Sequence, residues 1–168
     1  MNLTYEQYIP KDFSDDAKVW IYQSNRILSI DEALHLGTMI EEFTSDWNTH
    51  GKANKGLVQL IFGQFIIIMA DETSHLISGC SIDASVRFIK EVEKTFSISL
   101  FDRQALAFVV KDKIQVIPMN QVAYAIENGF VQGDTLFFNN LVTNKKELFN
   151  KWIIPAKSSW LATKYSFV

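Results

Sequence analysis

Leu57-Val58-Gln59-Leu60-Ile61-Phe62-Gly63-Gln64-Phe65-Ile66-Ile67-Ile68-Met69-Ala70 is the most apolar stretch of the chain. Its polar breaks decide how it folds. Gly63-Gln64 falls near the middle, between Leu57–Phe62 and Phe65–Ala70. Two strands joined by a tight turn fit that pattern, with Gly first as a type II′ turn requires. Gln59, Gly63 and Gln64 interrupt the run, and it falls short of the ~20 apolar residues that span a bilayer as a helix. The segment therefore reads as a buried hairpin.

The neighbours on both sides extend this reading. Upstream, Ala17 to Ser24 carries Val19, Trp20, Ile21 and Tyr22 in succession. A strand apolar on both faces is expected to be central. Ser29-Ile30-Asp31-Glu32 forms a capping box. Behind it Ala33, Leu36, Ile40, Phe43 and Trp47 mark one helical stripe from about Ile30 to Asn48. Gly51 to Gly56 reads as a basic surface connection. Downstream, Asp71 to Gly79 is a polar loop, and a second helix is expected to begin at Ser81-Ile82-Asp83. Its stripe is Ile82, Val86, Ile89, Val92 and Phe96. Ala105–Val110 and Ile114–Ile117 suggest a second hairpin. Gln121–Asn128 suggests a short helix stopped by Gly129, Thr135–Phe138 a strand, and Asn144–Glu147 a further helix start. A last helical piece is expected around Trp160.

The order predicts an α+β fold, a two-layer sandwich with a mainly antiparallel sheet. Its core is expected to be a ferredoxin-like βαββαβ unit with C-terminal β and α additions. Residues 1–168 are expected to form one domain, with no repeat or linker to divide them. The chain is 48% hydrophobic and 13% aromatic, which excludes intrinsic disorder. Sixteen basic against nineteen acidic side chains give a net charge of −3. That argues against nucleic acid as a partner. The single Cys excludes an intrachain disulfide. The polar N-terminus has no signal-peptide pattern, so a cytoplasmic location and no membrane association are expected.

Reactive side chains gather in one segment, Asp71-Glu72-Thr73-Ser74-His75-Leu76-Ile77-Ser78-Gly79-Cys80-Ser81-Ile82-Asp83. A thiol beside a helix N-terminus can be activated as a nucleophile. Cys80 would be that nucleophile, His75 its base, and Asp71 or Asp83 the group that orients the imidazole. Against this, a free Cys is commonly a small buried hydrophobe, Ser81 suits an N-cap, and Asp83 complements the helix dipole. No His-Glu-x-x-His and no second Cys points to a metal site. Gly51-Lys52-Ala53-Asn54-Lys55-Gly56 is followed by Leu57-Val58, where a phosphate-binding loop needs Lys and a hydroxyl. No cofactor is implied.

Ser78 to Ile89, together with Phe101-Asp102-Arg103, resembles a family of uncharacterised bacterial proteins often labelled ABC-transporter ATPases. Val19–Gln23 and Trp47–Gly51 look similar too, so the likeness covers most of the chain. The resemblance implies a cytoplasmic bacterial protein, and the label implies nucleotide binding or hydrolysis. It transfers no catalytic residue. The residues themselves favour a non-catalytic binding or accessory domain, a homo-oligomer, presenting a pocket near Asp71–Asp83. A thiol-dependent enzyme using Cys80 with His75 is the alternative, and a nucleotide-binding protein or ATPase the next.

Overall fold

The computed structural model describes residues 1–49 and 54–167. Of the Gly51–Gly56 connection, Gly51, Lys52 and Ala53 lie outside the described residues. The chain is α+β, as its pattern implies. Its elements in order are β1 (Lys18–Gln23), α1 (Ile30–Thr49), β2 (Lys55–Ile61), β3 (Phe65–Asp71), α2 (Gly79–Phe96), β4 (Ala105–Val110), β5 (Lys113–Pro118), α3 (Val122–Glu127), β6 (Leu136–Phe138), α4 (Lys145–Lys151) and β7 (Ile153–Pro155). Among the described residues no helix is long and apolar enough to cross a membrane.

The strands divide between two antiparallel sheets, ordered β1-β3-β2 and β5-β4-β6-β7. The first three strands follow the order of a split βαβ unit. β4 then leaves that sheet and pairs with β5 and β6. β7, which the sequence reading missed, closes the second sheet through pairs such as Phe137 with Ile154.

β1 is not central. It flanks β3, and its outer edge is met by the segment before α4, where the Val19 amide donates to the Thr143 carbonyl and the Lys145 amide to that of Ala17. Its faces are apolar for another reason. Tyr22, Ile66, Ile68 and Val58 pack beneath α1 and α2 with Leu36, Trp47, Phe88 and Val92. Val19, Ile21, Phe65, Ile67 and Met69 face the other way, onto Ala107, Ile114, Phe138, Leu148 and Trp152 of the second half. The first sheet is thus covered by helices on one face and by the second sheet on the other. A third cluster fills the far face of the second sheet, where Leu106, Phe108 and Phe137 meet Val122, Ala156 and Leu161.

Polar contacts fix how the halves meet. Gln23 Nε2 donates to the Ala105 carbonyl, Asn140 Nδ2 to Gln23 Oε1, and Trp152 Nε1 to Asn140 Oδ1, at 3.1, 2.9 and 3.0 Å. The turn of the first hairpin differs from expectation. Phe62 and Gly63 both have positive φ, 54° and 64°, and the Gln64 amide donates to the Ile61 carbonyl. Two central residues at positive φ define a type I′ turn, so the turn sits one residue earlier than Gly63-Gln64.

Candidate functional site

α1 and α2 lie side by side over the first sheet, and their outward-facing flanks leave a groove of about 750 Å³. Met39, Glu42, Phe43, Asp46 and Trp47 recur on α1 at spacings that keep them on one face. Cys80, Ala84, Arg87, Phe88 and Glu91 do the same on α2. The loop before α2 adds Leu76 and Ser78 at one end. The volume is in the range of small-molecule pockets, roughly 300–1,000 Å³.

The floor is a ladder of rings. Phe43 stacks on Phe88 with centroids 4.4 Å apart and on Trp47 at 5.4 Å. Several contacts hold Trp47 rigidly. Its Nε1 donates to the Ser81 carbonyl at 2.9 Å. Asn54 Nδ2 bridges the Trp47 carbonyl and Ser81 Oγ at 2.8 and 3.0 Å. Beneath it lies Gly56, whose backbone N–H and C=O both bond the Asn48 side chain. A Cβ at Gly56 would come within 2.3 Å of the Trp47 ring, so only glycine admits the indole there. The rim is charged, with Glu42, Asp46 and Glu91 against Arg87, all exposed.

α2 starts two residues before the expected point. Ser78 is its N-cap and accepts from the Ser81 amide at 3.1 Å, so Ser81 is a first-turn residue. This puts Cys80 in the first turn, where it is exposed and lines the groove. The reading of Cys80 as a buried hydrophobe is therefore corrected. Ser81 instead serves Trp47 and Asn54.

Asp71, His75 and Asp83 are not among the residues that line the groove with Cys80. Asp71 is buried at the end of β3 and does not line the groove. Its carboxylate accepts from the Ser14 amide at 2.8 Å and from the Thr73 amide at 2.9 Å and hydroxyl, with Lys55 Nζ 3.5 Å away. Burial alone would raise its pKa. The bonds from Thr73 and Ser14 and the Lys55 charge outweigh that and hold it well below the usual carboxylate range. Asp71 fastens the N-terminal segment to the sheet. His75 is half-buried in the loop, Asp83 is exposed on α2, and neither lines the groove. Among the described residues no three His, Cys, Asp or Glu side chains cluster as metal ligands do.

The sequence reading located the mouth of the groove but missed its floor. The helical stripe places Phe43 and Trp47 against the core, and that spacing does not show that their rings also line a groove. The available signal was the width of that stripe, since Met39, Phe43 and Trp47 extend it beyond the face that meets the sheet. Comparison with protein families, curated proteins and solved structures finds no match to this chain.

Proposed function

We propose that this protein is a binding module whose site is the groove between α1 and α2, taking a small organic molecule with a flat apolar body. The observation that carries the reading is the Trp47–Phe43–Phe88 ladder lying along an open groove of ligand size. Aromatic and apolar walls supply area, and a few polar groups at the rim supply orientation. Indole is a suitable neutral probe. Titrated into labelled protein and followed by NMR, it is expected to shift the resonances of Phe43, Trp47, Ala84 and Phe88 selectively. Ala84→Phe, which fills the groove from α2, should abolish those shifts while leaving the spectrum of the second sheet intact. Shifts scattered over the surface, or unaltered by Ala84→Phe, would overturn the reading.

A thiol-dependent enzyme is the second reading, favoured by the exposed Cys80 on the same groove, with His75 as its base. Alkylation by iodoacetamide, followed against pH, tests it. A rate that reaches its plateau well below pH 8 supports an activated thiolate. A rate still rising through the ordinary thiol pKa of about 8.5 removes the enzyme reading and leaves the binding one. The homo-oligomer expected from the sequence is tested by scattering mass across a wide concentration range, where the mass of one chain throughout would refute it.

A further inference from the structure

The groove has a chemical preference written in its rim. Three carboxylates, Glu42, Asp46 and Glu91, and one guanidinium, Arg87, line it. They stand on both walls, with Glu42 and Asp46 on α1 and Glu91 and Arg87 on α2. Among the described residues, Glu42, Glu91 and Arg87 form no ion pair. Arg87 precedes Glu91 by one helical turn and still does not close on it, so the rim keeps negative charge facing the opening. Below it, Met39, Phe43, Trp47, Ala84 and Phe88 present carbon and sulfur surface.

We propose that the groove's ligand is an organic cation: a flat apolar body that lies on the ring ladder and carries a protonated amine on a short arm reaching the Glu42 and Glu91 carboxylates. This deepens the binding reading above and rests on it. Two physical terms favour the same class. The carboxylates attract a cation and repel an anion, and each such exposed contact is worth roughly fivefold in affinity at low salt. Aromatic faces also attract cations through their quadrupoles, and they do not attract carboxylates. Arg87 works against a cation, but it shares the α2 wall with Glu91, and Glu42 stands on the opposite wall with no ion pair among the described residues.

The test uses two probes with one ring system and opposite charge, tryptamine and indole-3-propionate, compared with neutral indole at low and high salt. Tryptamine is expected to bind roughly tenfold tighter than indole-3-propionate in low salt, with the gap narrowing as salt rises. The double variant Glu42→Gln, Glu91→Gln should remove most of the gap between the two charged probes, and a gap that persists in it overturns the inference. Both positions are exposed, so the variant is expected to fold, and an unchanged amide spectrum of the second sheet confirms it. Equal affinity of the two charged probes overturns the cation inference and leaves the groove standing. Tighter binding of indole-3-propionate overturns it in favour of Arg87 as the controlling charge. If none of the three indoles perturbs the groove, the binding reading itself falls, and the inference with it.

Discussion

Asp71 shows what a single residue can hide from the sequence. It stands in the segment richest in reactive groups, yet its carboxylate is occupied by Ser14, which is 57 positions away in the chain, by Thr73 and by Lys55. Only the fold brings Ser14 there. Lys145 is a similar case. It is buried, and its Nζ donates to the carbonyls of Pro10, Lys11 and Phe13. Together they pin the N-terminal segment against the sheets. Because Asp71 has a depressed folded pKa, its contribution is fully present above its unfolded value of about 3.9 and is lost as pH falls through the lower folded value. Asp71→Asn should therefore cost about 2 kcal/mol at pH 7, since charge-assisted bonds are lost. Its stability should also decline less steeply than that of the parent below about pH 4. Urea midpoints taken from pH 7 to pH 2 measure both effects. Parallel pH curves for the two proteins would rule out this account of Asp71.

Elements were legible where their signals are local. Ser29 and Glu32 form the capping box the sequence implies, with the Ser29 amide donating to Glu32 Oε2 at 2.8 Å and the Glu32 amide to Ser29 Oγ at 3.2 Å. Arg26 grips the same carboxylate with both Nη atoms at 2.8 Å, and the bonds from Arg26 and Ser29 lower the Glu32 pKa to about 2. Asn144 caps α4 by accepting from the Glu147 amide. Turn geometry was less legible, because it depends on φ values that several residue types can be forced to adopt. Phe62 takes φ 54° although it has a large side chain, since the pairing of β2 with β3 fixes the turn around it. In the second hairpin Lys111 and Asp112 are both left-handed, at 49° and 59°. Glycine suits the second of these positions best. Asp112→Gly should raise stability by about 0.5 kcal/mol, after loss of an exposed contact between Asp112 and the N-terminus. Thermal melting measures the change. A lower melting temperature than the parent would contradict the strain assigned to this turn.

At the scale of the whole molecule, the sheet division was the least legible feature. Alternating apolar residues on both faces say that a strand is covered twice, but they do not say by what. In β1 and β3 the second cover is another sheet, built from residues more than thirty positions downstream. The core between the sheets is centred on Trp152, fully buried, with ring centroids of Tyr5, Phe65 and Phe138 at 4.8, 5.3 and 5.6 Å. Those rings come from the N-terminal segment, the first sheet and the second sheet, so no one layer can lose Trp152 without exposing the others. Trp152→Phe removes part of the shared ring surface and the bond to Asn140. It should destabilise the groove helices α1 and α2 as much as β6 and β7, although the groove lies on the opposite face of the first sheet. Amide exchange measures this directly, and protection in α2 and in β6 should fall by the same factor, as in one cooperative unit. Had the halves been separate domains, protection in α2 would survive the substitution while β6 and β7 opened. That result would also divide the chain at the passage from α2 to β4, where the backbone leaves one sheet for the other.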